Sequence, residues 1–250
     1  MLREIRNLIA FLTIIPVGMD QNCVIDAAKY MYLFPLVGAF IGLLAGAFAW
    51  LLNIFLDPLL TGILTIGFIL LITGLHHADG LLDFGDGLMY HGSAEDKIRV
   101  MHDQQTGVGG FMLGFTIFLA TTTCIAKLDQ SLVIQSLTVS ESLAKLAMVI
   151  MAWLGKSAHE GMNTYFIQAM HGKYRSLKLM AALLITFCMT LSLLNIVGFA
   201  ATTASIIMAL LLTKISNRHF GGVTGDVFGA GNEIVRLSSL LTILVMTKCM

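Results

Sequence analysis

The feature that most constrains this chain is a series of apolar runs long enough to cross a lipid bilayer. A spanning helix needs about 20 mostly apolar residues. Residues 31–52, 59–75 and 107–126 meet or approach that length. Residues 142–154 are apolar but short, and need Val139 or earlier residues to span. Residues 179–212 are apolar and too long for one span, and Asn195 with Gly198 predicts a hairpin within them. Residues 234–247 are short, and the preceding glycines extend them inward. The expected fold is all-α: a polytopic integral membrane helical bundle of about seven transmembrane helices, with six as the alternative, in one domain over 1–250. Composition agrees, because charged residues make up 12% of the chain and apolar ones 57%. That is about half the charged share of a globular domain, so lipid must cover what water cannot.

Composition also excludes several functions. A net charge of zero gives no basic surface for nucleic acid. Cys23, Cys124, Cys188 and Cys249 lie far apart and form no CxxC pair, so neither a disulfide framework nor a thiolate zinc site is expected. Arg3 and Arg6 precede a short apolar run at 8–15, which resembles a signal peptide. Pro16 and Gly18 end the run with no clear small-x-small cleavage site after it. It is expected to remain as a short helix at the membrane edge.

Lysine and arginine set the orientation. With the N-terminus in the cytoplasm, the inner segments hold Arg3, Arg6, Lys29, Lys97, Arg99, Lys156, Lys173, Arg175, Lys178, Lys214 and Arg218. The outer segments hold only Lys127 and Lys248, while Lys145 and Arg236 fall within or beside spans. The seven histidines, at 76, 77, 91, 102, 159, 171 and 219, played no part in that assignment, and all fall inside. The chain is therefore expected in the cell membrane with its chemical face toward the cytoplasm. No internal repeat is evident, which disfavours an inverted-repeat transporter.

The densest chemistry lies at 76–87. Asp79, Asp83 and Asp86 sit at i, i+4 and i+7, which places three carboxylates on one stripe of a helix, with His76 near it. Like charges repel, and a buried aspartate at a span end costs about 3 kcal/mol. A divalent cation removes that conflict, and carboxylate oxygens suit magnesium or manganese. Glycines at 80, 85 and 87 leave room for a phosphate. The plainer readings are a solvated acidic cap, or acids paired with Lys97 and Arg99. A zinc site on His76, His77 and Asp79 lacks the His-x3-His spacing of helical zinc sites.

Two further clusters share that side. Residues 101–110 end in Gly107, Gly109 and Gly110 at the start of an apolar helix, where exposed N–H groups suit an anion. Small-residue helix packing is the alternative there. Residues 221–233 surround Thr224, Asp226, Asn232 and Glu233 with five glycines, read as a flexible or close-approaching loop. A looser group, His159, Glu160, Asn163, His171, Lys173 and Arg175, reads first as a positive-inside flank.

Together these motifs resemble the cobalamin synthase (adenosylcobinamide-GDP ribazoletransferase) family. The matching stretches are 11–17 and 34–38; His77-x-Asp79-Gly80-Leu81-x-Asp83-x-x-Asp86-Gly87; Met101-x-Asp103-x-x-x-Gly107-x-x-Gly110; and Gly222-x-Thr224-Gly225-Asp226-x-x-Gly229-Ala230-x-Asn232-Glu233. The resemblance covers most of the chain. It implies a transferase that joins adenosylcobinamide-GDP to α-ribazole or its 5′-phosphate, releases GMP, and uses Mg2+. It points to Asp79, Asp83, Asp86, Asp226 and Glu233 as metal ligands, and to His77, Arg99, Gly107, Gly110, Thr224 and Asn232 as substrate contacts. Asp86 or Asp103 is the expected proton acceptor. The partners implied are those two substrates and the lipid bilayer, with no nucleic acid, and a homo-oligomer is left open. Two departures stand out: Gln104-Gln105 where the family often has Ser-Arg, and Arg236 where an acid is common. Arg99, Lys97 or Arg175 would then supply the phosphate contact. The rival readings are a CDP-alcohol-type membrane phosphotransferase, whose Asp-Gly-x-x-Ala-Arg pattern meets Leu82-Asp83 here, and an ion-coupled transporter, which needs acids at mid-span.

Overall fold

The computed structural model describes residues 2–18 and 20–249. Eleven α-helices account for the described architecture: α1 Leu2–Leu12, α2 Cys23–Lys29, α3 Phe34–Leu52, α4 Pro58–Ile72, α5 His76–Met89, α6 Ala94–Met101, α7 Val108–Ala126, α8 Val133–Leu154, α9 Met162–His171, α10 Arg175–Phe220 and α11 Gly225–Lys248. A single 3-10 turn, Met31–Leu33, precedes α3. The apolar segments named from the sequence are helical over most of their length, though the run at 8–15 leaves helix after Leu12 and that at 59–75 after Ile72. The α3 segment, α7, α8, α10 and α11 are long and apolar enough to cross a membrane.

The hairpin expected near Asn195 is present. Asn195 leaves helical geometry at φ +49° and ψ −128°, a positive-φ conformation uncommon for any residue but glycine. The arms on either side fold together. The Thr190 and Thr202 hydroxyls lie 3.0 Å apart, and Phe187 meets Phe199 edge-on at 5.8 Å. A Cβ on Gly198 would strike the Thr190 carbonyl, so only glycine permits this approach.

α8 is the central post, with 89% of its apolar window buried against 28% for α10, which faces outward. The closest approach is made by α3. Gly38, Gly42 and Gly46, one turn apart, press on the α8 backbone at Glu141, Leu137 and Ile134, and a Cβ at Gly46 would come within 2.7 Å of the Ile134 Cα. Between membrane helices there is little hydrophobic drive, so backbone proximity and dispersion bind them instead.

The segment ending at 154 recruits earlier residues as expected: α8 begins at Val133 and carries Ser136, Ser140, Glu141, Ser142 and Lys145 wholly buried. One expectation needed correction. The glycine-rich stretch 221–233 is mostly not a loop. Only 221–224 are non-helical, and α11 starts at Gly225. Its glycines serve packing, for a Cβ on Gly229 would lie 3.1 Å from the His77 carbonyl.

A thin outer layer, α1, α2 and α9, covers one end. Asn7 Nδ2 donates to Asp26 (2.7 Å), and Arg3 reaches Asp20 and Asp26 at 3.6 and 3.5 Å. After α1 the chain is extended, and Ile14 N donates to the Ile72 carbonyl at the end of α4 (2.8 Å).

Candidate active site

The site begins where α4 ends. Gly74 and Leu75 both have positive φ, +67° and +64°, and the chain bends by 97° into α5. A leucine in that region is strained by about 1–3 kcal/mol, a cost that surrounding packing must offset. The bend turns α5 away from the direction of the α4 span. It crosses the first turns of α7 and α11, where Gly85 lies against Gly110 and Gly80 against Asp226.

The three aspartates of α5 meet different surroundings. Asp86 accepts hydrogen bonds from Gly107 N (2.7 Å) and Gly110 N (2.8 Å). The anion expected at the α7 N-terminus is therefore Asp86 itself. A Cβ on Gly107 would strike Asp86, and one on Gly110 the Leu82 carbonyl, so these glycines let α5 and α7 dock. Asp83 is half-buried; burial first, then the Asp79, Asp226 and Asp86 carboxylates, pushes its pKa up to about 7. Asp79 is exposed and lines a cavity of about 1010 Å3 together with Asp226, His76, His77, His102 and His159. Thr224 caps α11, accepting from Val227 N (3.2 Å), and its hydroxyl lies 3.3 Å from Asp226 Oδ2. Burial, then Lys145 and Arg236, holds the His77 imidazole well below its ordinary pKa and so neutral. Its Nε2 is buried without a hydrogen-bond partner.

The far wall of the cavity is apolar. Phe11, Ile14, Pro16, Met148, Phe166 and Phe228 contribute to it, so the 11–17 motif closes the site from the N-terminal side.

Other expected site residues lie elsewhere. Glu233 and Asn232 are buried in a ring with Glu141, Lys145 and Arg236. Arg236 donates to Glu141 and to Glu233, Asn232 Nδ2 donates to Glu233 Oε1 (3.0 Å), and Lys145 Nζ donates to Asn232 Oδ1 (2.6 Å). Arg236 thus occupies Glu233, which does not line the cavity. Asp103 is exposed, accepts from Gln105 N (3.2 Å), and does not line the cavity. Arg99 is exposed and pairs with Asp96 (2.8 Å). Among the stand-ins for the missing arginine, Lys97 Nζ meets His219 Nδ1 (3.2 Å), and Arg175 donates to the Trp153 carbonyl (3.1 Å).

Sequence reasoning passed over His102 and Met148, and gave His159 and Asn163 only to the flank. The N-terminal stretch 10–18 was not assigned to the site either. The usable signal was the clustering of every histidine on one side.

The donor set bears on a cation. Asp79, Asp83, Asp86 and Asp226 crowd one another without a salt bridge among the described residues, which fits a hard divalent ion. Among the described residues, no three histidine, cysteine or acidic side chains converge closely enough to hold one alone.

A helical membrane bundle that gathers carboxylates and imidazoles at one end, around a cavity with an apolar wall, defines a polytopic membrane enzyme. A family model described as cobalamin-5-phosphate synthase, CobS, matches residues 4–244, and the chain belongs to that family. It is 34% identical over 255 residues to the adenosylcobinamide-GDP ribazoletransferase of Methanococcoides burtonii, covering 98% of this chain and 92% of that one. It is 35% identical over 253 residues to the protein of the same name from Methanocella arvoryzae (96% and 94% covered). The Archaeoglobus fulgidus protein so named is 29% identical over 245 residues (98% of each). No solved structure matches. The phosphotransferase and transporter readings gain no support from these relatives.

Proposed function

We propose that this protein joins adenosylcobinamide-GDP to α-ribazole or its 5′-phosphate, giving adenosylcobalamin or its phosphate and GMP. We further propose that it requires Mg2+ and works at the cytoplasmic face of the cell membrane. The observation that carries the reading is the meeting of Asp79 and Asp226, from two helices, on a cavity of about 1010 Å3 with one apolar wall. A corrinoid nucleotide has that same division, a large amphipathic body and an anionic diphosphate.

A ribose hydroxyl attacks the phosphoryl group borne by cobinamide, a new O–P bond forms, and the bond to GMP breaks. In-line displacement of this kind depends on positioning and charge neutralisation more than on covalent catalysis. The chain's part is to seat the corrinoid on the apolar wall and to present its diphosphate to the Asp79–Asp226 edge. Asp79 and Asp226 would hold the ion together with substrate phosphate oxygens, and Mg2+ would supply charge neutralisation to the diphosphate. The excess of lysine and arginine on the histidine-bearing side supports a cytoplasmic site.

The test is GMP release by purified protein in liposomes given adenosylcobinamide-GDP and α-ribazole phosphate, with magnesium and then with EDTA. GMP and completed corrinoid with magnesium alone is the expected result. No GMP from folded protein over a range of metals and acceptors would overturn the reading.

A further inference from the structure

The main cavity has a smaller neighbour. A pocket of about 490 Å3 is lined by Glu95 and Ile98 of α6, by 156–159, and by Phe220 with Gly221. His159 lines both spaces. The wall between them is firmly built. Val223 N donates to the Lys156 carbonyl (2.7 Å), and Ala158 N to that of Val223 (3.2 Å). Asn163 Nδ2 donates to Ser157 Oγ (2.7 Å) and to the Val223 carbonyl (2.8 Å). Ser157 Oγ in turn donates to the His159 carbonyl (2.6 Å).

One nitrogen of the His159 ring has a partner. Its Nδ1 lies 3.0 Å from the Glu160 carbonyl. A carbonyl oxygen only accepts, so Nδ1 carries a hydrogen, and the tautomer with that hydrogen alone has its lone pair on Nε2. That Nε2 is buried and has no partner in the protein. A buried acceptor left unsatisfied is costly, and a ligand hydroxyl removes the cost. His102, which lines the main cavity, packs edge-on to the same ring at 5.0 Å.

We propose that the smaller pocket seats the acceptor, an aromatic base on ribose, and that His159 Nε2 receives the hydrogen of its attacking hydroxyl. This rests on the transferase reading above, and it assigns the two substrates to two spaces by size. Ile98 and Phe220 offer apolar surface to the base, and Lys156, which also lines the pocket, is the cation available to a 5′-phosphate. The proton passes from the ribose hydroxyl to Nε2 as the O–P bond forms, and the electron pair of the broken bond departs with GMP. The aspartates first expected in this role are less suited. Both oxygens of Asp86 accept backbone N–H groups, and Asp103 lines neither space.

The experiment uses full-length protein in liposomes, with variants whose thermal unfolding matches the wild type. His159→Ala and His159→Gln are expected to lower kcat on the order of 100-fold, within the usual range for a positioned base. Equilibrium binding of adenosylcobinamide-GDP is expected to stay within about twofold of wild type, since uniform binding is untouched. Ile98→Trp, which fills the pocket, is expected to raise the KM for α-ribazole by roughly tenfold and to spare that for the corrinoid. Lys156→Ala is expected to raise the KM for α-ribazole phosphate but not for α-ribazole. Turnover by His159→Ala close to that of wild type overturns the base assignment. A corrinoid KM that rises in Ile98→Trp while the acceptor KM holds overturns the pocket. Direct α-ribazole binding without corrinoid separates this inference from the transferase reading. Binding to wild type that Ile98→Trp abolishes upholds the pocket even without turnover, whereas equal binding to both overturns it.

Discussion

Asp79 and Asp86 lie on one face of α5, yet only Asp79 faces the cavity. Asp86 is spent on α7, holding two backbone N–H groups at a helix start. The two residues therefore predict opposite outcomes from the same substitution. Asp86→Asn leaves one of those N–H groups without a good acceptor, and is expected to cost about 1–3 kcal/mol of stability. Thermal unfolding in detergent measures that loss. Asp79→Asn relieves repulsion with Asp83 and is expected to leave the unfolding temperature unchanged or raised. Its turnover is expected to fall on the order of 100-fold or more, the scale for removing one group that manages transition-state charge. Full activity in Asp79→Asn would remove the acidic edge from the mechanism. The three-acid stripe was legible because i, i+4, i+7 is local geometry. Which acid faces substrate was not, because that depends on α7 and α11 arriving from 20 and more than 100 residues away.

At the scale of elements, the ring of Glu141, Lys145, Asn232, Glu233 and Arg236 joins α8 to α11, with every member exposed by no more than 1%. Its two acids and two bases sum to zero, and each side chain touches at least two others. Breaking such a set is costly because it strands a buried charge. Arg236→Met leaves Glu233 with no cationic partner and Glu141 with Lys145 alone, and is expected to cost about 3–5 kcal/mol. Replacing Glu141, Lys145, Glu233 and Arg236 together by apolar residues of similar volume is expected to restore most of that stability. Thermal unfolding of both proteins checks the pair, and equal losses would show that the ring contributes through packing instead. The spacing was available in the sequence, Glu141 with Lys145 at i+4 and Glu233 with Arg236 at i+3, both inside apolar spans. Reading Glu233 as a ligand took family position over that spacing. The start of α8, expected at Val139 or earlier, lies at Val133, and the sequence left its place open for a related reason. Its polar first half is buried among helices rather than exposed to lipid, and hydropathy does not distinguish the two. By contrast, the α10 hairpin was legible because a 34-residue apolar run cannot cross once, and Asn195 with Gly198 is a local break.

The molecule as a whole is polarised along its helices. The cavity, its carboxylates and its imidazoles cluster where α5 crosses the starts of α7 and α11. The turns at 53–57, 127–132 and 195 lie at the other helix ends and carry little chemistry. Such a bundle delivers one face to one compartment, and the lysine and arginine bias is the ground on which that compartment is proposed to be the cytoplasm. The prediction concerns two exposed positions at opposite ends, Glu95 beside the smaller pocket and Asp129 in the α7–α8 turn. Glu95→Cys and Asp129→Cys are made separately, with Cys23, Cys124, Cys188 and Cys249 changed to serine or alanine. Each is treated with a membrane-impermeant maleimide in intact cells and in inverted vesicles. Asp129→Cys is expected to label in cells, and Glu95→Cys only in inverted vesicles. The opposite pattern would place the cavity outside the cytoplasm, away from a soluble nucleotide supply. Labelling of both from one side would mean that α7 does not cross, since Glu95 precedes it and Asp129 follows it.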